Sequence, residues 1–120
     1  MSELRHPVEI DWIVRAAGVE AALQLLDARG GVRVAFPARV TPHCPLAQIV
    51  GLTAAEALAR EVGGQTIKLP SCKLWRAQVY KARGMSVPKI AVKLGLGESS
   101  VWRKLRAAEG SNSRQFTLPL

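Results

Sequence analysis

The sequence predicts a mainly helical protein with two short β-strands, in which a helix-strand region is followed by a C-terminal helix-turn-helix. Three observations predict this fold: apolar residues recur at helical spacing, two alternating segments each follow a glycine pair, and basic residues concentrate in the second half. The 120 residues are 48% apolar and 22% charged, which is typical of an ordered globular chain. We expect three segments: residues 1–70, residues 71–109 and a flexible tail over residues 110–120.

The second half of the chain carries the whole formal charge of +8. Residues 1–70 contain seven basic and seven acidic side chains, whereas residues 71–120 contain ten basic and two acidic ones. A neutral region joined to a strongly basic one indicates an assembly module followed by a module that binds a polyanion, with nucleic acid the first candidate and an anionic membrane surface the second. We expect a cytoplasmic protein, with Cys44 and Cys72 as reduced thiols.

The neutral region contains one unit twice, at an offset of 33 residues. Each copy is a helical stretch, a glycine pair, a short strand and a proline, and the two read VEAALQLLDARGGVRVAFP (19–37) and TAAEALAREVGGQTIKLP (53–70). The first helix has apolar residues at i, i+3, i+4 and i+7, and Thr53 with Glu56 predicts a capping box for the second. Shorter helices are predicted over residues 8–17 and from Pro45.

The predicted strands, residues 32–36 and 65–69, are marginal by themselves, and a region of about 70 residues buries little surface. Pairing with a second chain would remove both weaknesses. We therefore predict that residues 1–70 form the dimerisation domain of a homodimer, with an interface that includes Val32, Val34, Phe36, Ile67 and Leu69. The alternative is a monomeric two-stranded patch on a helical core.

The basic half predicts three helices. The first runs from Ser71 to about Arg83 and buries Leu74 and Val79, with part of Trp75 or Tyr80; the second is VPKIAVKL, capped by Ser86; the third runs from about Glu98 to Ala108. A helix-turn-helix needs a small residue where the helices cross, a glycine in the turn and apolar anchors, and these places are filled by Ala91, Gly95, Leu96 and Val101.

The third helix has the chemistry for reading DNA. Ser99, Ser100 and Arg103 lie away from its core residues, where a helix entering the major groove meets base edges, and the guanidinium of Arg103 matches guanine O6 and N7. Trp102 is predicted either to pack between helices or to donate its N–H to a phosphate. The predicted phosphate contacts are Lys73, Arg76, Lys81, Arg83, Lys89, Lys93, Lys104 and Arg106.

Other candidate sites are weaker. Arg33 and Lys68 project from the same side of the predicted strands, either as a basic ribbon that touches DNA or as two solvated charges. His43 and Cys44 lack the spacing of a metal site and have no placed acid or base partner. We predict no enzyme activity, no metal and no cofactor.

The segments GGQTIKLP (63–70) and GMSVPKIAVKLGLGESSVWRKL (84–105) resemble the Mor transcription activator family of phage Mu and its prophage relatives, over roughly residues 15–108. This resemblance implies a dimeric activator whose N-terminal half dimerises and whose helix-turn-helix binds an inverted repeat near a promoter. It also implies recruitment of bacterial RNA polymerase through its alpha and sigma subunits. The third helix is separately similar to that of serine-recombinase DNA-binding domains, in which Ser99 and Arg103 fall at base-contacting positions.

Three other functions stay open. A repressor would use the same fold, a non-specific architectural protein would bind DNA without a preferred sequence, and a protein-interaction adaptor would dock its basic half on an acidic partner. Little affinity for duplex DNA would indicate the adaptor, and binding without a preferred sequence would indicate the architectural protein.

Overall fold

The computed structural model describes the backbone of residues 5–117 and the side chains of residues 5–107. It is mainly helical with two short antiparallel strands, as the sequence predicted. The chain divides into two units, Arg5–Cys72 and the residues from Lys73 onward, so the division lies two residues after the expected boundary at residue 70. No helix among the described residues is both long and apolar enough to cross a bilayer.

The first unit contains four α-helices and both strands. A 3-10 turn at Val8–Ile10 leads into α1 (Asp11–Ala17) and α2 (Val19–Arg29), which are followed by β1 (Arg33–Ala35). The pattern then repeats as α3 (Pro45–Val50), α4 (Leu52–Val62) and β2 (Thr66–Lys68). Helix α1 packs against both α2 and α4, and α3 packs against the same two helices.

The core of this unit is aliphatic. The apolar stripes of the long helices are buried in equivalent places, with Ala22 and Leu25 of α2 matched by Ala55 and Leu58 of α4. Phe36 is buried directly after β1 and meets the ring of Trp12 edge-on, at 5.7 Å between centroids. Burial of these stripes is the main favourable contribution to the fold, at roughly 25 cal/mol per Å² of apolar surface.

The strands pair with each other inside one chain, in an antiparallel register that sets Val34 opposite Ile67. Two of the five residues predicted at an interface between chains are therefore enclosed within this chain and are not available for it. Phe36 is 2% and Leu69 1% exposed, so their side chains are already enclosed. Val34 and Ile67 are half-buried, and Val32 lies outside the three-residue strand and is exposed.

The start of α4 differs from the prediction. The capping box at Thr53 and Glu56 does not form: α4 begins one residue earlier, its N-terminal cap is Gly51, and both side chains are exposed. Gly51 has a φ of 91°, and Gly18 takes the same place before α2 with a φ of 94°. Glycine reaches this backbone conformation without a Cβ penalty, so the turn geometry decides the start of both helices.

The second unit contains α5 (Lys73–Ala82), α6 (Val87–Leu94) and α7 (Glu98–Thr117), and each helix packs against the other two. Helix α5 begins two residues after the predicted cap at Ser71, and Ser86 precedes α6 without a side-chain capping bond. Helix α7 passes the predicted end at Ala108 and continues through residues 110–117, which were predicted as a flexible tail. Residues 118–120 lie outside the described chain.

Candidate nucleic-acid interface

Two glycine turns position the helices of the second unit. Gly84 has a φ of 91°, and the N–H of Met85 beyond it donates to the carbonyl of Tyr80 at 3.0 Å. Gly95 is left-handed, with a φ of 70°, and the N–H of Leu96 donates to the carbonyl of Ala91 at 2.9 Å. These bonds span five residues, as in a Schellman motif, and they stop each helix sharply enough for the next to fold back.

The side chains between α5, α6 and α7 form a continuous apolar core. Ile90 and Leu94 of α6 and Val101 and Leu105 of α7 are buried, as predicted. Ala91 is buried where the small residue was expected, and Leu96 is half-buried beside the turn. Trp75, Val79 and Tyr80 bury the inner face of α5, whereas Leu74, predicted in the core, is 41% exposed.

Helix α7 turns a polar face to solvent. Val101 and Leu105 fix the inner side, so residues two positions away from them, Ser99 and Arg103, project outward. Ser99, Arg103 and Arg106 are exposed on this face, and Ser100 is half-buried at its edge. We call Ser99, Trp102, Arg103 and Arg106 the outer face of α7. Serine hydroxyls and arginine guanidiniums are the donor groups that base edges and phosphates accept.

Trp102 belongs to the outer face. It is 46% exposed, so packing within the core, one of its two predicted places, does not account for it. Val92 on α6 is a second exposed apolar side chain, at 84%, that the sequence analysis did not single out. The helical period counted from the buried Ile90 would have placed Val92 on the outer side of α6.

The surface of this unit is strongly basic. Residues 73–107 contain nine basic side chains and one acidic one. Six of the nine are exposed and two, Lys73 and Lys104, are half-buried. The ammonium of Lys93 lies 5.5 Å from the ring centroid of Tyr80, a cation–π contact that holds this side chain near α5. The exposed basic residues are Lys81, Arg83, Lys89, Lys93, Arg103 and Arg106.

Arg76 is the exception among the predicted phosphate contacts. It is only 4% exposed, and its neighbours along α5, Trp75 and Ala77, are buried as well. A guanidinium enclosed in this way is not available to a phosphate on the surface, so its assignment as a contact is wrong. This burial gives Arg76 a structural role in the three-helix unit.

Arg33 and Lys68 lie in the first unit, on the solvent side of the strand pair. They stand directly opposite each other in the register, and both are exposed. Ala35 and Thr66 complete this exposed face. The predicted projection of both charges from one side of the sheet is confirmed.

Two polar features of the first unit were not foreseen. Asp11 accepts hydrogen bonds on both oxygens, from His6 Nε2 at 2.7 Å and from Arg15 Nε at 2.7 Å, and the bond from His6 is the main cause that lowers the pKa of its carboxyl group. The spacing of Asp11 and Arg15, four residues apart on one helix, is the signal that would have found this pair. The backbone N–H of Ala47 in the first turn of α3 lowers the pKa of the Cys44 thiol.

No family model, no curated protein and no solved structure matches this chain.

Proposed function

We propose that this protein is a sequence-specific, double-stranded-DNA-binding transcription regulator, which inserts the N-terminal part of α7 into the major groove. The observation that carries the proposal is the outer face of α7, polar and basic, directly after the left-handed turn at Gly95. In a helix-turn-helix the second helix reads bases while the first crosses the backbone. Helices α6 and α7 supply this order, turn and core.

Within this proposal, Arg103 and Ser99 contact base edges. Arg103 has the planar fork that pairs with guanine O6 and N7, and Ser99 is one residue from the start of α7, where backbone N–H groups point outward. Ser100, half-buried, contributes at the edge.

Phosphate contacts in this proposal come from the exposed basic residues of the unit other than Arg103, together with the half-buried Lys73 and Lys104. Arg76 is left out because it is buried. Each neutralised phosphate makes the logarithm of affinity fall by about 0.9 per logarithm of salt concentration. A steep salt dependence is therefore expected for every sequence, and base preference is expected to come from α7.

Transcription activation is a further step of the proposal. It rests on the resemblance of residues 63–70 and 84–105 to the Mor family, which implies contacts with the alpha and sigma subunits of RNA polymerase. A repressor would bind DNA in the same way. Transcription from a promoter with a bound site, measured with bacterial polymerase in vitro, separates the two because it rises with an activator and falls with a repressor.

The test of DNA binding is fluorescence anisotropy with labelled duplex DNA over a salt series. We expect binding by the full chain and a strong loss with Arg103→Ala. The matched control is Arg60→Ala, which removes the same exposed charge from α4 in the neutral unit and leaves affinity unchanged. Little affinity at physiological salt for any duplex, with a folded protein, would favour the adaptor with an acidic protein partner instead.

A further inference from the structure

The repeat in the first unit extends further than the sequence alone suggested. Helix α4 lies 33 residues after α2 at both ends, and β2 lies 33 residues after β1 at both ends. The glycine pairs also match, because Gly31 and Gly64 have φ values of 85° and 86°. Gly18 and Gly51 correspond in the same way, so the first copy covers residues 11–37 and the second covers residues 44–70.

The two copies are related by a two-fold exchange of contacts. The N–H of Gly31 donates to the carbonyl of Leu69 at 2.9 Å, and its counterpart Gly64 donates to that of Phe36 at 2.7 Å. Likewise Phe36 donates to Gln65 at 2.8 Å, and Leu69 donates to Val32 at 3.0 Å. Each of these four bonds joins one copy to the other, and each has an equivalent bond in the opposite direction.

The centre of this exchange is the pair of Val34 and Ile67, which are equivalent residues that lie opposite each other. The close contacts of the two equivalent glycines Gly30 and Gly63 follow the same two-fold relationship. A Cβ added to Gly30 would lie 3.3 Å from Cα of Ser71, and one added to Gly63 would lie 3.1 Å from Cα of Ala38, the residue equivalent to Ser71. The segment that leaves each strand therefore passes the glycine of the other copy.

The two copies also interlock through their helices. Helix α1 of the first copy packs against α4 of the second, and α3 of the second packs against α2 of the first. A segment of fewer than about 40 residues rarely folds by itself, because it buries too little surface. The arrangement is that expected of two small subunits in a dimer, but both are parts of one chain.

We infer that the two copies within residues 5–72 pair with each other in the way that the sequence predicted for two separate chains. The protein is then a monomer with one recognition helix per molecule. The consequence for DNA, which rests on the proposed function, is that the target is a single asymmetric site and not an inverted repeat. Each chain contains one pair of copies and one α7 helix, so one molecule presents a single recognition helix to DNA.

The surface of the first unit agrees with this inference. Cores of protein interfaces are enriched in aromatic side chains. The first unit has two aromatic residues: Phe36 is buried, and Trp12 is half-buried against it. The exposed large apolar residues among the described part of this unit are aliphatic: Val8, Val19, Val32 and Leu52.

Cysteine cross-linking tests the pairing of the strands directly. Val34→Cys with Ile67→Cys, in a chain with Cys44→Ser and Cys72→Ser, places two thiols at opposite positions of an antiparallel pair, where Cα atoms about 4.5–5.5 Å apart allow a disulfide. After oxidation we expect a cross-linked monomer on a non-reducing gel. A covalent dimer, or no cross-link, would overturn the inference. The control is Val34→Cys alone, which has no partner thiol within the chain.

Mass measurement on the unmodified protein does not depend on those variants. Sedimentation equilibrium over a range of concentrations should give 13.0 kDa throughout, and a mass of twice this value at micromolar concentration would overturn the inference. With DNA, one chain per bound duplex is expected, whereas two chains on a palindromic site would contradict it. If the protein binds no DNA, the proposed function fails, and the mass and the cross-link still decide the inference about the chain.

Discussion

Arg33 and Lys68 lie directly opposite each other across the antiparallel pair of β1 and β2, and both side chains are exposed. Like charges at opposed positions destabilise a strand pair. Positions 1–70 are neutral as a whole, with seven basic residues, these two included, and seven acidic ones. The repulsion between these two positive charges lowers the stability of the strand pair. Their placement is consistent with a contact to an anion such as a phosphate.

This relationship predicts opposite effects on stability and binding. Arg33→Gln removes the repulsion, so the free energy of unfolding in urea should stay equal or rise by up to about 1 kcal/mol. If the strand pair touches DNA, affinity should fall and the salt dependence should weaken by about one phosphate. Arg60→Gln, elsewhere in the same unit, is the control. Unchanged DNA affinity for Arg33→Gln would assign both charges to solvent.

The equivalence of Gly31 and Gly64 predicts equal costs of substitution. Both have a φ near 85°, and a Cβ at either would meet no atom within 4 Å, so alanine adds backbone strain without a clash. Gly31→Ala and Gly64→Ala should each lower the free energy of unfolding by about 1–2 kcal/mol. Urea denaturation measures both. A difference of several kcal/mol between them would contradict the equivalence of the two turns.

The proposed division of roles on the DNA surface predicts two kinds of loss. Arg103→Ala should cost on the order of 1–3 kcal/mol on the preferred site and relax base preference, because it removes a bidentate base contact. Lys81→Ala should weaken all sequences alike, because it removes a phosphate contact. Titrations with a selected duplex and with a scrambled one measure the two effects. Equal losses on both duplexes for both variants would refute the division.

The core of the three-helix unit predicts contrasting effects on a single helix. Ile90 is fully buried and Val92, two residues later on α6, is 84% exposed. Ile90→Ala should lower the free energy of unfolding by about 2–5 kcal/mol, whereas Val92→Ala should change it by no more than about 0.5 kcal/mol. Thermal or urea unfolding followed by circular dichroism checks this. A large effect at Val92 would show that this residue is covered in solution.

The hydrogen bonds to Asp11 predict a pH dependence of stability. The carboxyl pKa is lower in the folded chain than its ordinary value, mainly because of the bond from His6. The resulting stabilisation is present above the unfolded pKa, about 3.9, and is lost as the pH falls through the lower folded pKa. Asp11→Asn should therefore be less stable at neutral pH and lose less stability below about pH 4. Parallel acid-unfolding curves for the two proteins would contradict this.

The helices and the repeat were predictable because they depend on local patterns. Apolar spacing identified α2, α4 and α6, and glycines marked the ends of several helices. The partner of each strand was not predictable, because alternation along a strand indicates which face is apolar but not which segment pairs with it. The prediction therefore assigned Phe36 and Leu69 to a second chain, although the repeat itself supplies their cover.

On the candidate interface, the outer face of α7 was predictable from two buried positions, Val101 and Leu105. The burial of Arg76 was not predictable, because a charged side chain usually indicates the surface. Leu74 shows the opposite case, an apolar residue left at the surface. Single residues at the border of a helical stripe are decided by tertiary packing, which spacing alone does not determine.

Selection from a random duplex library at near-physiological salt, with sequencing of the bound fraction, tests the central claim most directly. The proposed DNA-reading role of α7 predicts that the full chain retains DNA and converges on one preferred sequence. It also predicts that Arg103→Ala loses that preference while still binding. Retention of DNA without any convergence, or no retention by the folded protein, would contradict the claim.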